Sequence, residues 1–130
     1  MGRILGIDYG DKRIGIAISD EDGHFAFPKA VLQNTATLFN ELKEIVSTEH
    51  VSMVIVGLPQ NFSGADTEQT KKARAFAEKL KKEVNAEIIF ENEILTSRQI
   101  EKTGASTKSM IDASSAALIL QGYLDRKNKT

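Results

Sequence analysis

The sequence predicts an α/β fold: one five-stranded mixed sheet, three antiparallel strands followed by two parallel ones, flanked by helices. Three observations carry that expectation. Two apolar runs, Arg3-Ile-Leu-Gly-Ile-Asp8 and Ile14-Gly-Ile-Ala-Ile18, are separated by a turn too short to hold a helix. Beyond the third strand the apolar period lengthens from that of a strand to that of a helix. A β-branched run, Val51 to Val56, then stands between two helical stretches, the pattern of a buried parallel strand.

Taken in order, residues 3–9 and 13–19 read as two strands joined at Gly10-Asp11-Lys12, where Gly10 is expected to supply a positive φ. Phe25 to Val31 follows the Asp20-Glu-Asp-Gly23 turn as a third strand, and Pro28 puts it at an edge. Leu38, Leu42, Ile45 and Val46 recur at helical spacing and predict a helix over 36–49. The strand at Val51 ends at Gly57, and a shaped loop runs from Leu58 to Gly64. Asp66 with Gln69 resembles a capping box opening a helix whose inner stripe is Ala73, Phe76, Ala77, Leu80 and Val84. Glu87 to Phe90 is a short strand, and a brief helix is expected near 96–103. The last helix, about 109–126, turns Ala113, Ala116, Ala117, Leu120 and Leu124 inward.

This order places the first strand centrally and gathers the ends of the parallel-running strands on one rim, where open α/β sheets hold their sites. Asp8 ends strand one there, and Glu93 follows strand five. Strand interiors disfavour Asp, and a buried charge needs a partner, a metal or a raised pKa. Asp112, near the start of the last helix, is available as a third acid. Mg²⁺ or Mn²⁺ fits such oxygen donors. Three carboxylates can bridge two ions roughly 3.5–4 Å apart, an arrangement suited to in-line displacement at a phosphodiester. Each acid also has a local explanation. Asp8 could cap the turn, Glu93 could be a solvated neighbour of Glu91, and Asp112 could form a capping box with Ser109. The three acids taken together favour the metal reading over any one of these local explanations.

Length and composition agree with a single domain over 1–130: 41% hydrophobic, 27% charged, formal net charge −1. The absence of cysteine excludes disulfides, thiolate metal sites and cysteine nucleophiles. No signal-peptide pattern or membrane-length apolar run is present, so a cytoplasmic location is expected. Global charge shows no basic footprint, although Lys and Arg cluster locally along the second helix and at the tail. His24 and His50 are expected at the surface, and Tyr123 at the core edge. The 57–64 loop lacks the ending of a P-loop.

Asp8-Tyr-Gly-Asp-Lys-Arg-Ile-Gly-Ile-Ala17, Val56-Gly-Leu-Pro-Gln-Asn-Phe-Ser-Gly64 and Ile111-Asp-Ala-Ser-Ser-Ala-Ala117 resemble, in order, motifs of the YqgF family, also called RuvX. The resemblance spans essentially the whole chain. It implies an RNase H-like fold related to RuvC-type Holliday junction resolvases, and a nuclease of 16S ribosomal RNA 5′-end maturation. It also implies that Asp8, Glu93 and Asp112 are the catalytic and metal-binding acids. Lys12, Arg13, Asn61 and Lys108 are candidates for contacts to a nucleic-acid backbone. The chain departs from the family at Asn92-Glu93-Ile94-Leu95-Thr96, where the family reads Asp-Glu-Arg-Leu-Thr. Isoleucine cannot replace an arginine that grips phosphate bidentately. The segment from Thr103 to Met110 is also less basic than the family pattern. Those departures leave a non-catalytic RNA-binding or ribosome-assembly protein as the alternative. An actin-like ATPase shares the strand–Asp-x-Gly–strand opening, but would need a second domain and phosphate loop that this length does not provide.

Overall fold

Strands β1 (Arg3–Asp8), β2 (Arg13–Ser19) and β3 (Ala26–Gln33) form an antiparallel meander, which β4 (Val51–Leu58) and β5 (Glu87–Asn92) extend in parallel. The resulting order, β3-β2-β1-β4-β5, puts β1 at the centre and β3 at an edge, as expected from the sequence. This computed structural model describes residues 2–58, 68–92 and 108–128, with the side chains at 58, 69, 92 and 108–114 outside that description. The Asp66–Gln69 capping box and the helix expected near 96–103 lie outside the described residues.

Alternation along β1 sorts two cores. Leu5 and Ile7 join Ile14, Ile16, Val54 and Val56 on one face, beneath α1 (Leu38–Thr48) and α2 (Glu68–Glu83). Ile4 joins Ala17 and Ile55 on the other, beneath α3 (Lys108–Asn128), which contributes Ala116, Ile119, Leu120 and Leu124. Each fully buried Leu or Ile contributes about 1.5–3 kcal/mol through apolar burial. The near-continuous burial of β1 and β4 follows from this three-layer arrangement, since helices cover both faces.

Several boundaries are set by contacts beyond the local pattern. The β1–β2 ladder begins at Leu5↔Ile18, and the buried Ser19 hydroxyl meets Ile4 at 2.8 Å, accepting its N–H. That hydroxyl then donates to Asp20 O at 2.9 Å. β3 extends to Gln33, past the expected end at Val31, because Leu32 and Gln33 still pair with Ile14 and Arg13. Its register shifts where Ile16 pairs with Ala30 but Ala17 pairs with Pro28, so Lys29 is the extra residue of a bulge beside the proline. β4 runs one residue and β5 two residues beyond their expected ends, and they keep pairing as far as Leu58↔Asn92.

Gly10 does not take a positive φ, contrary to the expectation; the positive-φ glycine of the described residues is Gly23. Gly10 is required by space instead. A Cβ there would lie 2.5 Å from the Arg13 carbonyl oxygen. His50 takes the left-handed conformation, φ 55°, that ends α1, and its carbonyl accepts the Arg3 N–H at 3.0 Å. Helix α3 starts at Lys108, one residue before Ser109, so Ser109 is not its N-cap.

Candidate active site at the carboxyl rim

Parallel pairing brings the ends of β1, β4 and β5 to a single rim. Asp8 pairs with Gly57, Gly57 with Glu91, and Leu58 with Asn92. Glu91 therefore stands two strand spacings from Asp8, about 10 Å, and Glu93 is the residue that follows β5 in the sequence. Alternation puts Asp8 on the same sheet face as Ile4 and Gly6, the face covered by α3. Its parallel neighbour Gly57 is buried and carries no side chain, which leaves room beside the half-buried Asp8 carboxylate.

Helix α3 sits close to this face because Gly6 lets it. A Cβ at Gly6 would meet Leu120 Cβ at 2.8 Å and the Ala116 carbonyl oxygen at 3.0 Å. The carboxyl end of α3 lies at the opposite edge, where Lys127 lines a cleft with Gly2 and Ile4, and Asn128 donates to Gly23 O at 2.9 Å. The helix thus runs against β1. Four residues back from Ala116 is about 6 Å along the helix, close to the ~6.6 Å that separates Gly6 from Asp8 along the strand. Position 112 is thereby carried to the level of Asp8. Because the chain is already helical at Lys108, Asp112 lies past the first turn of α3, which removes the cap-and-dipole explanation offered by the sequence.

Lys12 and Arg13 lie on the same rim, in the turn that follows Asp8 and at the start of β2. Lys12 is exposed, its carbonyl accepting the Asn34 N–H at 2.9 Å; Arg13 is half-buried and pairs with Gln33. Asn34 Nδ2 holds the turn from the side, donating to Gly10 O at 3.0 Å and to Tyr9 Oη at 3.2 Å. Lys72 anchors Asp11 at 3.2 Å. Glu93 and Asn61 lie outside the described residues, while Lys108 and Asp112 are placed by their helical backbone. Glu91 is committed elsewhere: its carboxylate, 13% exposed, is paired with Arg126 of α3.

Among the described residues, one trio of metal-donor side chains converges, Asp20, Asp22 and His24, in the β2–β3 turn. It is at the far end of the sheet from Asp8. Its Asp20 is occupied by the turn itself, Oδ1 accepting the N–H groups of His24 at 2.8 Å and Phe25 at 3.2 Å. Those two backbone donors hold its pKa below the ordinary carboxylate value of 3.8. With Gly23 at φ 72° donating to Asp20 O, the trio is explained as a side-chain-capped turn. Gly6, which lets α3 approach β1, is given no role by the sequence reading, and Gly57 is read only as a strand end; a glycine within each of two apolar strands was the available signal of a close approach.

The fold is RNase H-like. Its architecture matches that of Thermus thermophilus RuvC in complex with a Holliday junction substrate, with a TM-score of 0.64 over 98% of this chain and 97% of that one, at 13% identity. It also matches the fowlpox virus resolvase complexed with Holliday junction DNA, with a TM-score of 0.60 over 98% and 99% of the two chains, at 14% identity. The family model RuvX, described as Holliday junction resolvase, matches residues 2–126, and the chain belongs to that family. Among its relatives are proteins described as "Putative pre-16S rRNA nuclease". One from Sulfurihydrogenibium is 40% identical, covering 97% of this chain and 92% of the relative. Another, from Thermoanaerobacter pseudethanolicus, is 41% identical, covering 98% and 99%.

Proposed function

We propose that this protein is a single-domain, cytoplasmic, divalent-metal-dependent nuclease that hydrolyses phosphodiester bonds in 5′-end maturation of pre-16S rRNA. The observation that supports it best is the placement of Asp8, half-buried at the end of the central strand and beside the side-chain-free Gly57. Asp112, on the helical backbone of α3, and Glu93, the residue that follows β5 in the sequence, are proposed to join it there. These three acids are the proposed ligands. Their donors are all carboxylate oxygens, which suit Mg²⁺ or Mn²⁺. Ions of that kind, when bound, stabilise charge on the scissile phosphate and lower the pKa of an attacking water.

The chain's own contribution is positioning. Asp8 is fixed by the central strand, whose four residues Ile4 to Ile7 are all buried, so its carboxylate is pre-organised rather than recruited. Lys12 and Arg13, held by the Asn34 contacts to the turn, offer cations for the phosphates flanking the cleaved bond. Asn61 and Lys108 are proposed to extend that contact on either side.

The test is cleavage of end-labelled pre-16S RNA and of a four-way DNA junction, each with Mg²⁺, Mn²⁺ or EDTA. Removing one outer-shell partner of a metal typically costs 10–100-fold, so Asp8→Asn, which removes a ligand charge, should lower cleavage by at least roughly 100-fold. Its thermal stability should stay near that of the wild type. Undiminished cleavage by Asp8→Asn would overturn the assignment. RNA binding without any cleavage by the folded wild type would instead indicate an assembly factor that keeps the fold without the chemistry.

A further inference from the structure

On the sheet face opposite Asp8 a cleft of about 280 Å³ opens between β1, α1 and α2, and Tyr9, the residue after Asp8, forms part of its wall. Three rings meet there. Tyr9 and Phe76 have centroids 5.0 Å apart at 41°, and Phe39 and Phe76 have centroids 5.6 Å apart at 34°. Phe76 is buried and belongs to the core, whereas Tyr9 and Phe39 are only half-buried. The charged residues that line the cleft are both lysines, Lys72 and Lys79. Lys72, Phe76 and Lys79 recur at helical spacing on α2, so the two ammonium-bearing positions are two turns apart, about 10 Å. At the ~3.4 Å rise per nucleotide of a stacked strand, that is the reach of about three nucleotides.

We propose that this cleft is a subsite for an unpaired stretch of the RNA strand, with one base held against Tyr9 and Phe39 and flanking phosphates on Lys72 and Lys79. The inference rests on the nuclease reading and adds to it a preference for substrate that is single-stranded next to the cleaved bond. Aromatic rings with cations along one groove are the means by which proteins hold single strands without reading their sequence. Lys79 already shows the chemistry. Its ammonium lies 4.7 Å from the Phe39 centroid, a cation–π contact that a phosphate would replace, exposing the ring face to a base. Asn34 uses Nδ2 for its two contacts to the rim turn, which leaves its carbonyl oxygen to accept from a base amino group. The groove reaches the rim through Tyr9 and the Lys72–Asp11 pair, so a strand crossing the sheet edge passes from Asp8 into it.

The experiment measures binding in EDTA, so it does not depend on cleavage. A short single-stranded RNA carrying 2-aminopurine, and the same sequence fully paired, are titrated against full-length wild type, Lys79→Gln, Phe39→Leu and Lys43→Gln. Lys43, paired with Glu83 at 3.3 Å and lining a different cleft, is the control. Lys79→Gln should weaken single-strand binding several-fold and reduce the slope of log K against log salt by about 0.7, the value for one lost phosphate contact on a single strand. Phe39→Leu keeps the apolar packing and should weaken single-strand binding by roughly tenfold and reduce 2-aminopurine quenching, leaving the salt slope unchanged. Lys43→Gln and the paired RNA should show neither effect. Wild-type affinity, slope and quenching in both groove variants, or equal losses on the paired RNA, would overturn the proposal. Groove-dependent binding by a folded wild type that shows no metal-dependent cleavage would refute the nuclease reading and leave this inference standing, whereas Asp8→Asn should lose cleavage and keep the groove-dependent binding.

Discussion

Replacing Gly6 with alanine tests the packing on which the rim geometry depends. The added methyl would lie 2.8 Å from Leu120 Cβ and 3.0 Å from the Ala116 carbonyl oxygen. Ordinary carbon contacts lie at about 3.5–4.0 Å, so α3 would have to retreat from β1 by roughly 1 Å. The obstructing atoms are a helix backbone oxygen and a Cβ, neither of which can swing away. Overpacking of this kind costs about 1–3 kcal/mol. Alanine recovers roughly 0.5–1 kcal/mol because glycine is disfavoured inside a strand. The expected net loss is about 1–2 kcal/mol, which for a domain of this size is a fall in Tm of roughly 3–8 °C. Gly122→Ala is the matched comparison, since its new Cβ would meet only Arg126 Nη1, at 4.0 Å. Within helix α3 that change should stabilise by up to about 1 kcal/mol. The same chemical change thus has opposite signs at two positions. Urea unfolding and thermal melts of both variants measure this directly. A neutral or stabilising Gly6→Ala would refute the close approach of α3 to β1. On the nuclease reading, a displaced α3 also moves Asp112 relative to Asp8. Cleavage by Gly6→Ala should then fall by more than the folded fraction does, since misplacement by about 1 Å can cost on the order of 100-fold.

Ser19→Ala removes the hydroxyl that accepts the Ile4 N–H and leaves that donor buried without its partner. The expected loss is about 1–3 kcal/mol by urea unfolding, and Ser19→Thr, which keeps the hydroxyl, should recover part of it. Asp20 has its pKa depressed by the His24 and Phe25 N–H groups, so its stabilisation is present above the ordinary carboxylate value of 3.8. It is lost as pH falls through the lower folded-state pKa. The Tm advantage of wild type over Asp20→Asn should therefore narrow below about pH 3.8; an advantage that persists unchanged at pH 2 would refute the assignment. His50 holds φ 55° at the end of α1, a conformation in which glycine carries no steric penalty. His50→Gly should be neutral to stabilising by up to about 1 kcal/mol in thermal melts, whereas His50→Val should destabilise.

The strand and helix order was legible because it is written in local periodicity. The apolar runs of β1 and β2, the Leu38–Leu42–Ile45 stripe and the β-branched run of β4 each report burial along one element. Pro28 and the late parallel run sufficed to place β3 at an edge and β4 beside β1. The position of Asp8 was equally local, since a carboxylate at the end of a buried strand conflicts with its surroundings. Strand lengths were less legible. β3, β4 and β5 continue past their expected ends because a neighbouring strand still supplies hydrogen bonds there, and that partner is distant in sequence. Gly10 was recognised as necessary for the wrong reason, because a carbonyl oxygen three residues later, not a backbone dihedral, excludes a side chain.

Sequence alone determined the fold class, the central strand and the acid at its tip. Each depends on a residue's preference for burial or exposure, a preference carried by the residue and its near neighbours. Only the tertiary structure decided that Gly6 admits α3 against β1, that Gly57 puts no side chain beside that acid, and that Glu91 is paired with Arg126. It likewise decided that Tyr9, Phe39 and Phe76 close into a lysine-lined groove behind the rim. These are contacts between segments far apart along the chain, and their distances are set by how helices and sheet pack together, which no local pattern encodes.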